Sequence, residues 1–206
     1  MGSTTSLGGR VPARQVRALF DAQTVTVYQA YSSAIAEPAI AAGRFVSPFK
    51  IDRMTWIKPS FLWMMYRSGW GTKPDQERVL AISVTRDGFE WALAHASLSH
   101  FDPALYASHE QWAARRDSTP VRVQWDPERS PLLEPLSHRA VQIGLTGEAA
   151  RRYVNDWTVS ITDVTRLAGE IRPLAAAGDR AAVNALLPAE LPYPLPDEIR
   201  SVIGAV

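Results

Sequence analysis

The amino-acid sequence predicts an α+β or mixed α/β fold, with sheet-forming segments first and helices concentrated towards the C-terminus. A run of β-branched and aromatic residues, TVTVYQAY (Thr24–Tyr31), favours a strand. The run PVRVQWDPE at 120–128 alternates apolar with polar residues, which is typical of a strand with one solvated face. Alanine-rich and amphipathic runs lie between and after such strands. Together these patterns predict a central, mostly antiparallel sheet system with flanking helices.

Two helices carry start and stop signals. Ser32 or Ser33 can cap the alanine-rich helix that follows the first strand, and Gly43 is placed to end it. Pro38 lies inside this run, so the helix starts late or kinks there. A shorter helix is predicted within KPSFLWMMYRSGW, with Ser60 near its start and a glycine just past its end.

The remaining elements follow from periodicity and from the positions of turn residues. They are a strand at 78–86, an amphipathic helix at 87–100, a short helix at 108–116, strands at 120–128 and 138–145, a long helix at 146–171 that breaks near 158–160, and a helix at 178–188.

The length of 206 residues suits one domain. Residues 1–15 are rich in Gly, Ser and Arg, and they are predicted to form a flexible N-terminus. Residues 16–187 are predicted to form a single α+β domain. Residues 188–206 are rich in proline, and they are predicted to be a tail that follows the surface.

The composition excludes several classes of protein. The absence of cysteine excludes disulfides, thiolate catalysis and zinc–thiolate sites, and the four histidines lack ligand spacing, so no metal is predicted. A net charge of +1 gives no global electrostatic case for nucleic acid. No Walker, GxGxxG or GxSxG motif is present. No apolar stretch suits a signal peptide or a membrane span, so a cytoplasmic location without membrane partners is predicted.

Residues 53–70 mix large aromatic side chains with cations. Aromatic rings supply flat contact area, while arginine and lysine bind anions, so the mixture suits a nucleotide-like ligand. The alternative is an aromatic core whose cations extend to water. If the first interpretation is right, at least one aromatic ring here should edge a cavity that also contains a cation. The candidate ligand-binding residues are Arg53, Trp56, Lys58, Ser60, Trp63 and Arg67.

Four longer motifs carry a resemblance to a known family. The runs VYQAYSSAIAEPAIAAGRF, VQWDPER and RAVQIGL, with the tryptophan-rich segment 53–70, resemble the uncharacterised family called domain of unknown function 4291. The resemblance covers roughly 16–164. It implies no particular activity.

The first of these runs also resembles the opening of the ADP-ribosyltransferase superfamily, in which a strand-end motif lines the NAD pocket and a helix closed by glycine follows. By position, Tyr28, Gln29, Ala30 and Tyr31 fall in the strand-end motif. The resemblance implies an ADP-ribosyltransferase-like α+β fold with central antiparallel sheets, and it implies that Tyr28 and Tyr31 frame nicotinamide and that NAD is the substrate. The chain departs from the usual pattern, because Gln29 replaces His or Arg and Tyr31 replaces Thr. An amide at Gln29 can still hydrogen-bond a ribose hydroxyl or a carboxamide.

Three candidates for a catalytic role are Glu128, Gln142 and Gln29. The resemblance assigns an acidic residue on a late strand to catalysis, and Glu128 in VQWDPER lies in that region. A carboxylate there can stabilise a ribosyl cation. The alternative is that Asp-Pro starts a turn and Glu128 lies on the surface. Gln142, a polar residue in an apolar strand, competes for the same position or simply faces outward.

The sequence therefore leaves three functions open. The first is a transferase or glycohydrolase that acts at the nicotinamide ribose carbon of NAD or a related nucleotide, with a nucleic acid or a protein as the acceptor of a transferase. The second is a nucleic-acid-binding or RNA-processing module in which tryptophans stack on unpaired bases. The third is a binding protein for a small molecule, without chemistry.

Overall fold

In the computed structural model, which describes residues 11–206, the chain has an α+β fold with several antiparallel sheets, which confirms the α+β class predicted from the sequence. The strands are β1 Arg17–Ala18, β2 Thr24–Tyr31, β3 Thr55–Ile57, β4 Arg78–Thr85, β5 Ala96–Leu98, β6 Val121–Arg129, β7 Pro135–Leu145, β8 Thr158–Asp163 and β9 Leu191–Pro192. The α-helices of the described residues are α1 Ser33–Ala42, α2 Phe61–Ser68, α3 Arg86–Ala94, α4 His109–Ser118, α5 Gly147–Arg152, α6 Thr165–Ala176, α7 Arg180–Leu186 and α8 Asp197–Ile203. Within residues 11–206, no helix has the length and apolar character needed to cross a bilayer.

Strands β2, β4 and β8 form a three-stranded antiparallel sheet with β4 at its centre. Val25 and Val27 of β2 and Leu80 and Ile82 of β4 are buried in the main core. Apolar residues alternate along both strands, so one face of this sheet turns to that core. The predicted strand Thr24–Tyr31 has the bounds that its β-branched run indicated.

The second sheet contains four strands in the order β3-β7-β6-β5. β5 runs parallel to β6, and the other pairs are antiparallel. The two sheets meet where the Tyr28 N–H donates to the Lys58 carbonyl over 2.7 Å. The strands predicted to share one sheet system therefore lie in two sheets joined at this bridge.

Two apolar clusters stabilise the fold. The main cluster draws on both sheets and on α1, α3, α5 and α8. The smaller cluster lies around Tyr28, Phe61, Met64 and Met65, and it joins α2 to α6 and α7. Because Tyr28 and Val27 are neighbours on β2, they point to opposite faces, and each face packs in a different cluster.

The segment 146–171 differs from the predicted long helix. It forms α5, a π-helical turn at Tyr153–Trp157, the strand β8 and then α6. The predicted break at 158–160 lies at the start of the strand. The run TVSITD of β8 is rich in β-branched residues, and β4 offers it an antiparallel partner. The end of the helix predicted at 87–100 likewise contains β5, which pairs with β6.

The C-terminal segment also differs from the predicted surface tail. β9 pairs with β1, and α8 follows it. Tyr193, Leu195, Ile199 and Ile203 are buried in the main core. Proline spacing concealed these apolar residues in the sequence, since Tyr193 and Leu195 lie in the irregular connection after β9, and Ile199 and Ile203 lie on a short helix. Of the predicted flexible N-terminus, residues 1–10 lie outside the described residues, and Arg14 forms an ion pair with Asp102 at 2.7 Å.

Replacing Gly88 by alanine should destabilise the fold. A Cβ at Gly88 would lie 2.3 Å from Cγ of Trp157, so the ring that packs on α3 would have to move. We expect a loss of about 1–3 kcal/mol in the free energy of unfolding, measured by urea denaturation.

The matched control is Gly169→Ala in α6, where a Cβ meets nothing within 4 Å. Helix propensity alone should stabilise that variant, by up to about 1 kcal/mol. Equal effects at the two positions would contradict the packing argument.

Candidate ligand-binding site

A cavity of about 430 Å³ lies beside the junction of the two sheets. Its walls come from the end of β2, from β3, from α2 and from the loops at 48–54 and 75–76. β2 pairs with β4 along one edge over its whole length, and along its other edge it meets the end of β3 at a single bridge, Tyr28 with Lys58, so a gap opens beside that bridge. The volume falls within the range of small-molecule sites in proteins.

The polar floor of the cavity is built around Gln29, which is almost fully buried. Its Nε2 donates to Thr55 Oγ1 at 2.7 Å and to the Trp56 carbonyl at 3.1 Å. Its Oε1 accepts from the Tyr153 hydroxyl at 2.8 Å. The Tyr31 hydroxyl lies 3.2 Å from Thr55 Oγ1. These bonds fix the Gln29 amide and tie β2 to β3.

Both tyrosines of the floor are held as neutral phenols. Burial raises the pKa of Tyr31 to about 12, against a smaller lowering by the Thr55 hydrogen bond. Burial also raises the pKa of Tyr153 well above its ordinary value. At physiological pH each hydroxyl therefore keeps a proton to donate.

Lys58 is the innermost cation of the site, with only 7% of its surface exposed. Its Nζ lies 3.4 Å from the Trp56 carbonyl and 5.5 Å from the centre of the Trp63 ring. Burial and, to a smaller extent, the charge of Arg67 lower the pKa of Lys58 to about 7, against an opposing effect of the charge of Asp126. An amine with this pKa is divided between its charged and neutral forms at neutral pH.

Three exposed cations, Lys50, Arg53 and Arg67, surround the opening of the cavity. Among the lining residues, Asp75 is the single carboxylate. With Lys58 inside, the lining carries more positive than negative charge, which favours an anionic ligand.

Aromatic rings form another part of the wall. Tyr31 and Phe49 meet edge to face with ring centres 5.9 Å apart. Trp56 lies against Gly144 of β7, where an added Cβ would come within 3.0 Å of the indole ring. Only a residue without a side chain lets this indole lie so close to the sheet.

Two carboxylates clamp the start of α2 next to the cavity. Glu128 Oε1 accepts from the Ser60 hydroxyl and from the Arg129 N–H, both at 2.8 Å. Glu190 Oε1 accepts from the Phe61 N–H at 2.6 Å. Carboxyl groups at a helix N-terminus accept hydrogen bonds from its free N–H groups, and a charged carboxylate there also interacts favourably with the helix dipole.

These two carboxyls have raised pKa values. Burial, helped by the charge of Glu128, raises the pKa of Glu190 to about 8, although the hydrogen bond from the Phe61 N–H and the charge of Arg17 oppose the rise. Burial also raises the pKa of Glu128, against hydrogen bonds from Arg129 and Ser60. The pair therefore retains a proton at neutral pH.

Gln124 and Asp126 of β6 and Gln142 of β7 form a hydrogen-bonded polar cluster. The Gln142 amide donates to Asp126, and Gln124 Nε2 donates to the same carboxylate at 3.0 Å. Gln142 is thus a hydrogen-bonded residue of the sheet, and its partner Asp126 acts electrostatically on Lys58.

The structure brings together six of the predicted site residues. The residues that line the cavity are Gln29, Tyr31, Arg53, Trp56, Lys58 and Arg67. Five others are outside the lining, namely Tyr28, Ser60, Trp63, Glu128 and Gln142.

The placement of the outlying residues has local causes. The Tyr28 ring points to the α2 side of β2 and meets Phe61 edge to face at 5.4 Å. Ser60 caps α2 by accepting from the Trp63 N–H at 3.1 Å, and Trp63 is buried behind Lys58. Sequence reasoning missed Phe49, Lys50 and Thr55; the first two lie just before the segment 53–70, and Thr55 lies within it but is neither aromatic nor charged.

Comparison with known proteins agrees with the first resemblance. Residues 15–193 match the family described as Domain of unknown function (DUF4291). The chain belongs to this family. No curated protein gives a significant match. The resemblance to ADP-ribosyltransferases gains no support from these comparisons.

Replacing Glu190 by glutamine should flatten the pH dependence of stability. The folded state raises the pKa of Glu190 to about 8, so its contribution is fully present below the ordinary glutamate pKa of about 4.3 and is lost as the pH rises through about 8. Glutamine can still accept from the Phe61 N–H and carries no charge.

Urea denaturation between pH 5 and pH 9 measures the effect as the difference between wild type and variant at each pH. Glu198→Gln, an exposed position on α8, is the control and should follow the wild type. Parallel profiles for wild type and Glu190→Gln would contradict the assignment.

Proposed function

We propose that this protein binds a phosphorylated nucleotide of the NAD type in the cavity beside the sheet junction. The observation that carries the proposal is the meeting of four cations with three aromatic rings in one cavity of about 430 Å³. A nucleotide needs both kinds of contact, since it joins a flat base to charged phosphates.

The phosphates would lie between Arg53 and Arg67, with Lys58 beneath them. Arginine presents a planar fork of donors that matches phosphate oxygens. Neither Arg53 nor Arg67 has an ion-pair partner within 4 Å in the described part of the chain, so both guanidinium groups are available.

A base or a nicotinamide would lie against Tyr31, Phe49 or Trp56. Trp56 supports such a contact because its ring is braced from behind by the Gly144 backbone. A rigid ring loses little conformational entropy when a ligand stacks on it. The Tyr31 hydroxyl, which stays protonated, adds a hydrogen-bonding group close by.

A narrower form of the proposal is an ADP-ribosyltransferase-like enzyme that transfers or hydrolyses at the nicotinamide ribose carbon. Such chemistry needs a carboxylate to stabilise positive charge on the sugar. Two carboxylates of β6 support it. Asp126 acts on the charge of Lys58, and Glu128 holds the serine two residues beyond Lys58.

Removing either arginine should weaken nucleotide binding. Arg53→Gln and Arg67→Gln should each raise the Kd for NAD or ATP about 10- to 100-fold, because a charge-assisted hydrogen bond contributes about 1.5–3 kcal/mol. Isothermal titration calorimetry gives the Kd, and adenosine, which lacks phosphate, should bind wild type and variants alike.

The control is Arg166→Gln, since Arg166 is highly exposed on α6 and paired with Glu170. An unchanged Kd in both cavity variants, or an equal loss in the control, would count against the cavity as the phosphate site.

Glu128→Gln tests the narrower proposal. If Glu128 stabilises charge on the ribose, NAD consumption should fall about 100-fold or more while NAD binding persists. Glutamine can still accept from Ser60, so α2 keeps its start. Liquid chromatography of nicotinamide release measures the rate.

Glu134→Gln, at an exposed carboxylate near the end of the same hairpin, is the matched control. Unchanged turnover in Glu128→Gln would rule out this role for Glu128. A loss confined to Asp126→Asn would assign the carboxylate to Asp126 instead.

A further inference from the structure

We propose that Lys58 is a nucleophilic lysine that forms a reversible imine with aldehydes or ketones carrying a phosphate group. This goes beyond nucleotide binding. It requires that the cavity admit a phosphorylated carbonyl compound, whether or not that compound contains a nucleoside.

The position of Lys58 is fixed on both sides. Its carbonyl accepts from Tyr28 N–H at 2.7 Å, and the next residues, Pro59 and Ser60, lead into the capped start of α2. The side chain therefore leaves a rigid backbone and extends into the cavity. A nucleophile held in this way loses little freedom when a ligand arrives.

The amine is not engaged by a carboxylate. No Asp or Glu oxygen lies within 4 Å of Nζ among the described residues, and the one hydrogen bond of Nζ is the long contact of 3.4 Å with the Trp56 carbonyl. A lysine that served only to balance charge would have a carboxylate partner. Here the nitrogen lone pair, once the proton leaves, is free to attack.

Burial and a neighbouring cation make that proton easy to lose. The lowered pKa of about 7 leaves a large share of the amine neutral at physiological pH, whereas an ordinary lysine, with a pKa of about 10.4, is almost wholly charged. Desolvation together with a second cation is a recognised way to activate a lysine for Schiff-base chemistry.

The surroundings select the ligand. Arg53 and Arg67 would hold the phosphate at the opening, and Tyr31 and Trp56 would border the carbon skeleton. The carbonyl carbon would then lie within reach of Nζ.

The reaction balances without any further reagent. The Nζ lone pair forms a C–N bond as the C–O π bond breaks, and one N–H proton moves to the carbonyl oxygen, which gives a carbinolamine. The hydroxyl group then leaves with the remaining N–H proton as water, and the nitrogen electron pair completes C=N. Water reverses both steps.

Pyridoxal 5′-phosphate is a suitable probe because it joins an aldehyde to a phosphate and a flat ring. Incubation of the full chain with the probe, reduction by sodium cyanoborohydride and peptide mass spectrometry would locate the adduct. The chain has three lysines: Lys50 at the rim of the cavity, Lys58 inside it and Lys73 outside it. Lys50 and Lys73 therefore serve as internal controls for the labelling of Lys58.

We expect saturable labelling of Lys58 at pH 7.5, at least about tenfold faster than at Lys50 or Lys73, because far more of its amine is neutral. The rate should rise as the pH passes through about 7. Pyridoxal without phosphate should label Lys58 more slowly. Excess inorganic phosphate should compete.

Two variants make the test specific. Lys58→Arg keeps a cation in the cavity and should abolish the fast labelling. Arg67→Gln should slow it while leaving the two exposed lysines labelled at their original rates. Circular dichroism and thermal melting establish that both variants are folded.

Labelling that favours Lys50, Lys73 or the N-terminal amine, or that proceeds equally at all lysines, would overturn the inference. Its failure is distinct from that of the proposed function. If only this inference fails, wild type binds NAD or ATP without trapping at Lys58. If only the nucleotide proposal fails, trapping occurs and calorimetry detects no nucleotide binding.

Discussion

The site depends on one backbone hydrogen bond, from the Tyr28 N–H to the Lys58 carbonyl. It is the point at which two sheets with different partners touch, and beyond it β2 follows β4 while β3 follows β7. The buried amide of Gln29 reinforces the contact from the β2 side. β2 and β3 are edge strands of their sheets, and past this bond the Gln29 side chain, rather than a second backbone bridge, joins them, which limits the number of free N–H and C=O groups beside the cavity.

Local signals in the sequence were sufficient for most of the elements. Ser60 and the αL glycine after α2 bound that helix as capping rules indicate, and the run Thr24–Tyr31 is a strand over its whole length. The failures have one cause. β8 and the C-terminal segment acquire their structure from partners that are distant in sequence, β4 and β1, and no local pattern records such a partner.

In the site, too, residues with a local sequence signal could be predicted, and residues placed by distant partners could not. Arg53, Trp56, Lys58 and Arg67 could be predicted because they lie within fifteen residues of each other and their chemistry is conspicuous. Tyr28, which the resemblance grouped with Tyr31, lies on the opposite face of β2 and packs against Phe61 of α2, because residues 28 and 31 differ in parity along the strand. The contribution of Tyr153 could not be foreseen, because it reaches Gln29 from 124 residues away.

The carboxylate of Glu190 links the end of the chain to its middle. It lies just before β9, and the chain beyond it is buried through Tyr193 and Ile199, so the start of α2 is held by a segment 129 residues further along the chain. The first turn of α2 therefore depends on the packing of β9 and α8, which lie outside the lining of the cavity. Local unfolding of that segment should loosen one wall of the cavity while every lining residue keeps its own contacts.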